Sequence, residues 1–527
     1  MSAMKVIYRL IPLICVALRF QTVQGDVFTS VPRMRELYLT EGKLLDSLEA
    51  SIEYHQAKLD MLVQQHKKIM SQRTREGDTR EYLDHPVDGF SLIKRLSRDW
   101  PLIVNIMAEN HAVEILPTLL QDMQTFSEDT QGAIRGLTRL QKVYELDTDQ
   151  LADGWIGDSL SFSKLNAADC VEIAQFLSQR HEFVLATSWM RAAQRRVDEE
   201  NDTTVSQNQL ASQLYTYSML AMCEQTDFSI LQHSLLSHDP SYTPDADTAK
   251  LFRLTLDLNC SWYDSTLKWD KADMPEDNHK KFNTMCRGEP KGPRGLKCLY
   301  VHYHRPELLL APFKLEEILV SPPIMLIHQA ISESEIEALK NASLNELSDC
   351  QTLLNATTTF ETSTYRTCDK GWVDDSATPA AARVTRRIGQ LANLGMTHSE
   401  PHQVACYGMG GEYKLHKDAI EGYTLSETNS QGQRIATVML YLNDVTRGGY
   451  TVFPLLKVAV APIKGSAVYW YNILHDSEDD ERTLHGGCPV LLGSKWVLNK
   501  WIHEGGQEFQ SLHCPSDKHF PKEYFYV

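Results

Sequence analysis

The sequence predicts a multidomain α+β chain, helical through its first half and built of short antiparallel strands in its C-terminal third. Three observations carry that reading. Leu45, Leu48, Ile52, His55, Leu59, Leu62, His66 and Ile69 follow alternating steps of three and four, a heptad seam. Four amphipathic segments follow one another at Ala168–Ser178, Val184–Val197, Gln209–Cys223 and Ile230–Leu236. Past Pro322 come short runs such as Ala436–Leu442, Thr451–Phe453 and Ala467–Tyr471, divided by turns such as Arg447-Gly448-Gly449. Many short strands with turn signals favour an antiparallel barrel or a double-sheet jelly roll.

A chain of 527 residues is too long for a single core, so two to four domains are expected. Hydrophobic residues at 42% and charged residues at 23% place it among soluble globular proteins. The net charge of −17 excludes nucleic acid as a partner, because a phosphate backbone is held mainly by Lys and Arg.

The first segment, residues 1–25, reads as a secretory signal peptide. Lys5 and Arg9 precede an apolar run from Leu10 to Leu18, and Val23-Gln24-Gly25 offers a small-residue cleavage site. The run is about half the ~20 residues that a membrane span needs, so no membrane association is expected. Four N-x-S/T acceptors, at Asn201, Asn259, Asn341 and Asn355, agree with a glycosylating compartment. So do the ten cysteines outside the signal; Cys286 with Cys298, and Cys488 with Cys514, are the expected pairs because each closes a short loop. The chain ends in Phe525-Tyr526-Val527 rather than a KDEL-type address, so retention in the endoplasmic reticulum lumen calls for a partner.

Residues 26–150 are expected to form a helical coiled-coil dimerisation domain. The helical pattern runs from Leu37 to Met70, breaks at a polar loop from Thr74 to Asp88, and resumes from Phe90 to about Tyr144. The two seam histidines suit metal ligands or a pH switch, but histidines at such positions are more often tolerated polar breaks in a seam. Residues 160–255 carry the paired helices, which look like tetratricopeptide-type units able to offer a groove to an extended peptide; a plain helical linker fits the periodicity as well. Residues 256–320 are rich in Lys, Gly and Pro and read as a linker stapled by a disulfide, leaving residues 321–527 as the β domain.

The chemistry sits in Tyr407-Gly408-Met409-Gly410-Gly411-Glu412-Tyr413-Lys414-Leu415-His416-Lys417-Asp418. Side chains two apart on a strand face the same way, so His416 and Asp418 can reach one metal. His485, ahead of Cys488-Pro489-Val490 and a new strand, is the best candidate for a third ligand. Two histidines and one carboxylate on one face of an ion leave open positions, the facial triad of non-haem Fe(II) oxygenases. Lys495, in Gly493-Ser494-Lys495-Trp496, is a lone cation on an apolar strand and needs an anionic partner if it points inward. The dicarboxylate 2-oxoglutarate would supply one.

These words, with others along the chain, resemble the α subunit of collagen prolyl 4-hydroxylase over almost the whole sequence beyond the signal. The resemblance is carried by Gly89-Phe90 to Trp100, Asp147-Thr148-Asp149, Cys286-Arg287-Gly288-Glu289 and Ser363-Thr364-Tyr365-Arg366. In the β domain it is carried by Arg434-Ile435-Ala436-Thr437-Val438, Gly448-Gly449-Tyr450-Thr451-Val452-Phe453-Pro454 and Asn499-Lys500-Trp501-Ile502-His503-Glu504. It implies a double-stranded β-helix (jelly-roll) oxygenase domain with His416, Asp418 and His485 as Fe2+ ligands. It further implies that Lys495 binds the C-5 carboxylate of 2-oxoglutarate, and that His503 orients this co-substrate. Cys286–Cys298 and Cys488–Cys514 match the family's disulfides. Tyr217 matches one residue of the family's tyrosine-rich peptide face, where the next positions here are Leu220 and Cys223.

The implied activity is 4-hydroxylation of proline in X-Pro-Gly sequences of procollagen-like chains, with O2 as co-substrate and 2-oxoglutarate decarboxylated to succinate and CO2. L-ascorbate keeps such an enzyme active. Protein disulfide isomerase would be the β subunit of an α2β2 assembly. Two rivals remain open: a non-catalytic subunit that binds Pro-rich peptides, and a prolyl hydroxylase of another secreted substrate. Lysyl hydroxylases use an arginine for the co-substrate and lack this helical front.

Overall fold

The computed structural model describes residues 31–54, 59–71, 83–108, 127–200, 204–225, 276–288, 296–353, 360–362, 366–420, 431–474 and 478–507. The expected signal peptide, Cys514, the sequons at Asn201, Asn259 and Asn355, and the segment Ile230–Leu236 lie outside them. Residues up to Tyr144 and from Glu276 onward form one compact unit, and Glu145–Pro275 form another.

The front of the first unit is helical: α1 (Val31–Tyr54), α2 (Leu59–Ser71), α3 (Pro86–Lys94), α4 (Trp100–Ala108) and α5 (Ser127–Tyr144). Of the expected heptad seam, Leu45, Leu48, Leu62 and Ile69 are buried inside this single chain, and His66 is half-buried. A buried Glu41–Arg95 pair, at 2.6 and 3.2 Å, ties α1 to the turn after α3. Arg33 at the start of α1 reaches Asp349 at 3.2 Å. Those four described seam positions are thus covered from within the chain.

In the second unit a short helix, α6 (Thr148–Ala152), precedes α7 (Ala167–Gln179), α8 (Phe183–Glu200) and α9 (Gln207–Gln225). Asn166 and Asp169 form a reciprocal capping box that starts α7 where the expected amphipathic segment begins. Consecutive pairs of these three helices pack on each other. Tyr217 on α9 is half-buried and its hydroxyl accepts from Ser178 Oγ at 3.1 Å.

The second half of the first unit opens with α10 (Glu276–Arg287). Among its strands are β1 (Cys298–Val301), β2 (Phe313–Val320), β3 (Pro323–His328), β4 (Ser348–Asp349), β5 (Asp369–Val373), β6 (His402–Tyr407), β7 (Tyr413–His416), β8 (Arg434–Tyr441), β9 (Thr451–Phe453), β10 (Val458–Val460), β11 (Ala467–Tyr471), β12 (His485–Gly487) and β13 (Lys495–His503). Nine of them form one antiparallel sheet in the order β1-β2-β3-β11-β8-β13-β6-β5-β4, and four form a smaller one in the order β7-β12-β9-β10. The strands β1 and β2 correct the expected linker: residues 298–320 are the outer part of the large sheet. Phe313-Lys314-Leu315-Glu316 does alternate, but a bulge between Glu317 and Leu319 breaks the period.

Alternation along β8 shows how the large sheet is covered on both faces. Val438 and Leu440 belong to a core closed by α11 (Glu333–Ser343) and α12 (Pro379–Ala392), through Ile336, Leu339, Val384 and Ile388. Met439 and Tyr441 belong to a second core with Phe453, Val458 and Val460 of the small sheet. The helices are held in place at their ends. Ser332 and Glu335 cap α11, and the same carboxylate takes two bonds from Arg387 of α12, at 2.7 and 2.9 Å.

The disulfides correct the expected pairing. Cys286 joins Cys488, with Cα atoms 5.6 Å apart, and Cys350 joins Cys368. Cys298 is free and exposed. Closeness in sequence misled because α10 delivers Cys286 to the small sheet, where a Cβ on Gly486 would meet the Phe282 ring at 2.8 Å. Cys298 instead opens the edge strand β1, opposite Glu316. No described helix is long and apolar enough to cross a membrane.

Candidate active site

Strand β6 ends at Tyr407, opposite Lys495 on β13. The chain then turns through Gly410, whose φ of +63° only glycine adopts without cost, and returns as β7 in the small sheet. There His416 pairs directly with His485 of β12. Directly opposed residues on antiparallel strands point to one face. The two imidazoles accordingly lie 4.3 Å apart, centroid to centroid. Asp418 follows two residues on and completes a group whose ligand atoms all fall within 4.8 Å of one another.

Hydrogen bonds set the tautomers. His416 Nδ1 donates to the Lys414 carbonyl at 2.8 Å, and His485 Nδ1 donates to the Thr483 carbonyl at 2.9 Å. A carbonyl only accepts, so each Nδ1 carries the proton and each Nε2 presents a lone pair. Those lone pairs face Asp418: Nε2 of His416 lies 3.7 Å from Oδ1, and Nε2 of His485 lies 3.7 Å from Oδ2. Burial, reinforced by the neighbouring His485, holds the His416 pKa down to about 3, and burial likewise lowers His485. Burial alone would raise Asp418; His485, His416, Arg434 and a bond from Thr437 outweigh it and leave the carboxyl below its usual range. At neutral pH, then, two neutral imidazoles and a carboxylate aim at one buried point without a proton among them. That arrangement could hold a cation, and its two nitrogens and one oxygen suit Fe2+ rather than a thiolate-bound structural zinc.

Supports outside this trio were not visible in the sequence. Thr437 Oγ1 donates to Asp418 Oδ2 at 2.8 Å and accepts from Asn472 Nδ2 at 2.9 Å. The Tyr413 ring stacks on His416 at 3.5 Å, and Phe453 and Trp470 pack against His485. Thr437 and Tyr413 do lie within the motif words quoted above, but the contact each makes depends on strand register.

Lys495 is buried between the rings of Tyr407 and Tyr441, with Nζ 3.3 Å from Thr451 Oγ1. Among the described residues no carboxylate pairs with it. Desolvation lowers its pKa to about 7, so an incoming carboxylate would restore the charge. Lys495 and the trio line the same cleft, which encloses about 470 Å³ counting its open mouth. Tyr407, Tyr413, Met439, Thr451, Trp470 and Trp501 are among the other residues of the wall.

His503 is placed differently. It does not line the cleft: its ring nitrogens bond the Gly432 carbonyl at 2.8 Å and Glu400 at 3.0 Å. Glu400 accepts from Arg434, which also donates to the Asp418 carbonyl at 3.3 Å. His503 therefore reaches the trio only through its neighbours. Tyr217 belongs to the other unit, and Asn341 is exposed near the end of α11.

Two family models match the chain: the N-terminal region of the prolyl 4-hydroxylase α subunit over residues 30–158, and the 2OG-Fe(II) oxygenase superfamily over residues 402–503. The prolyl 4-hydroxylase subunit alpha-2 of Gallus gallus is 32% identical over 514 residues, covering 92% of this chain and 95% of its own. The chain belongs to the prolyl 4-hydroxylase α-subunit family. Subunit alpha-1 of Homo sapiens is 33% identical over 92% of this chain and 94% of its own, and subunit alpha-2 of Caenorhabditis elegans is 33% identical over 92% and 93%. The oxygenase match of this family member runs from the first residue of β6 to the last of β13, so it encloses the whole cleft.

Proposed function

We propose that this chain is the catalytic α subunit of a collagen prolyl 4-hydroxylase working in the endoplasmic reticulum lumen. It hydroxylates C-4 of proline in X-Pro-Gly sequences of procollagen-like chains and decarboxylates 2-oxoglutarate to succinate and CO2. The observation that carries this reading is the convergence of two imidazole lone pairs and a carboxylate on one buried point, in a cleft that also holds a buried lysine with no carboxylate partner among the described residues.

His416, Asp418 and His485 would hold Fe2+. Bound there, the metal supplies the oxygen-activating chemistry. The protein's own part is to bind, orient and exclude. Lys495, with Thr451, takes the distal carboxylate of 2-oxoglutarate, a charge-assisted pair strengthened by the buried setting. Thr437 and Asn472 hold the Asp418 carboxylate in one orientation. His503, acting through Glu400 and Arg434, steadies the backbone at Asp418 and so orients the co-substrate indirectly. The aromatic wall of Trp470, Trp501 and Tyr413 keeps water and competing side chains away from the reacting centre.

The rest of the chain fits an assembly around that domain. Residues 321–527, extended forward by β1 and β2, form the double-stranded β-helix. Residues 160–255 form a tetratricopeptide-like domain whose groove, with Tyr217, takes the Pro-rich peptide. Residues 26–150 contribute the dimer contact of an α2β2 assembly in which protein disulfide isomerase is the β subunit and the source of retention. L-ascorbate keeps the metal reduced, and Asn341 is an exposed glycosylation candidate.

The test is turnover. Co-expressed with protein disulfide isomerase and supplied with Fe2+, ascorbate and 2-oxoglutarate, the chain should form 4-hydroxyproline in a Pro-Pro-Gly repeat peptide and release matching succinate. Hydroxyproline no higher than in a His416→Ala control would remove the collagen assignment. Succinate released with a different secreted Pro-containing peptide alone would select the non-collagen reading.

A further inference from the structure

The helical front of the chain touches the β domain where the site residues leave or enter their strands. On α5, Arg139 Nε pairs with Glu412 Oε1 at 2.9 Å, and Nη1 donates to the Gly410 carbonyl at 2.7 Å and to Thr367 Oγ1 at 3.2 Å. Those contacts grip the turn that runs into β7 and His416. One helical turn earlier, Gly136 meets Gly410 so closely that a Cβ on Gly410 would lie 2.8 Å from the Gly136 carbonyl oxygen. At the end of α5, the Tyr144 hydroxyl donates to the Pro489 carbonyl at 2.6 Å, just beyond β12 and His485. A third contact comes from the residue pair ahead of α3: the Asp84 carbonyl accepts from the Gly493 N–H at 2.6 Å, two residues before Lys495.

The gripped segments are also bonded to each other. Gly410 N donates to the Val490 carbonyl at 3.0 Å, and Val490 N donates to the Gly411 carbonyl at 3.0 Å. A helix that fixes both turns therefore fixes the register of β7 against β12, and with it the opposition of His416 and His485. The close approach of the α5 backbone leaves no room for a side chain at position 410, where glycine also meets the positive φ.

We propose that α5 is a working part of the active site, and that Arg139 and Tyr144 are positioning residues that set the separation of the two histidine-bearing strands and hence the affinity for the metal. The helical front then has a role in the chemistry of each single chain, in addition to any role in assembly. Its effect is exerted through backbone carbonyls and Glu412, so Arg139 touches no reactant itself. This inference rests on the assignment of His416, Asp418 and His485 as the metal site.

The test measures metal binding without turnover. The full chain, co-purified with its β subunit, is titrated with Mn2+ in the presence of 2-oxoglutarate, and bound metal is read by electron paramagnetic resonance. Arg139→Met is expected to weaken Mn2+ binding by about 10-fold, the scale on which the support of a metal ligand acts, and Arg139→Lys to recover part of it. Arg33→Met is the control: it breaks another contact between the helical front and the β domain, at Asp349, away from the cleft. It should lower the melting temperature and leave Mn2+ affinity unchanged. Parental affinity in Arg139→Met, or an equal loss in Arg33→Met, overturns the proposal. If Arg139→Met does not fold, Tyr144→Phe decides: a smaller loss of Mn2+ affinity supports it, and unchanged affinity overturns it. Mn2+ binding retained by His416→Ala would instead overturn the ligand assignment. Loss in His416→Ala with none in Arg139→Met overturns this inference alone.

Discussion

Nε2 of His485 stands 3.7 Å from Oδ2 of Asp418 with no proton between them. The imidazole has its proton on the far nitrogen, given to Thr483, and the carboxyl is held ionised. Two lone pairs at that separation repel unless a cation lies between them, and the same holds for His416.

The first prediction concerns pH. Histidine metal sites ordinarily lose affinity as pH falls through about 6.5, because protons compete for the ring. Here burial and the adjacent ring hold His416 down to about 3 and lower His485 as well. Divalent-metal affinity should therefore be nearly flat between pH 7.5 and 6. A several-fold loss over that interval would contradict the protonation states assigned here. The metal-free chain should behave oppositely in stability. Its folded-state histidine values lie below the unfolded ones, so the unfolded chain binds protons first. Melting temperature should fall as pH drops from about 6.5 towards 3.

A second prediction follows from Lys495, whose value falls to about 7 when the cleft is empty. A bound carboxylate favours the charged amine and raises that value, so 2-oxoglutarate binding should take up a proton above pH 7. Affinity should be greatest below that point and weaken as pH rises through it. Calorimetry in two buffers of different ionisation enthalpy reads the proton directly. Lys495→Met should remove the uptake and raise the 2-oxoglutarate requirement far more than the peptide requirement. Equal effects on both substrates would count against the anchoring role.

Thr437→Val tests the support of Asp418. The substitution keeps the shape of the side chain and removes the donor to Oδ2, leaving the carboxylate and Asn472 each short of a partner. We expect metal affinity to fall about 10-fold and stability by about 1–3 kcal/mol, read by metal titration and by denaturant unfolding. A variant that binds metal like the parent would show that Asp418 needs no such orientation.

Much of the site could be read from the chain because it depends on short spacing. His416 ends β7 and Asp418 lies two residues further on, just past the strand, and Lys495 opens a strand of apolar neighbours, so local pattern reveals them. The pairing of His416 with His485 depends on register between strands distant in sequence, and there the sequence offered a candidate rather than a partner. Thr437, Asn472, Glu400 and Arg139 were missed for the same reason: each matters through one contact made far along the chain. Helix positions in the middle unit followed their periodicity closely, whereas β1 and β2 hid in a Lys- and Pro-rich stretch broken by a bulge. The cysteines show the limit most directly, since Cys286 passes over its near neighbour to meet Cys488. A heptad seam, likewise, announces that a face will be buried without saying what will cover it.

The most direct test of the account is anaerobic titration of the full chain with Fe2+ in the presence of 2-oxoglutarate, followed by the visible charge-transfer absorbance of the chelated metal. The parent chain should develop the band and saturate at a single equivalent of iron. His416→Ala and His485→Ala, each shown to be folded, should fail to develop it. A parent without the band, or a His485→Ala variant that shows it at parental strength, would contradict the claim that His416, Asp418 and His485 form the iron site.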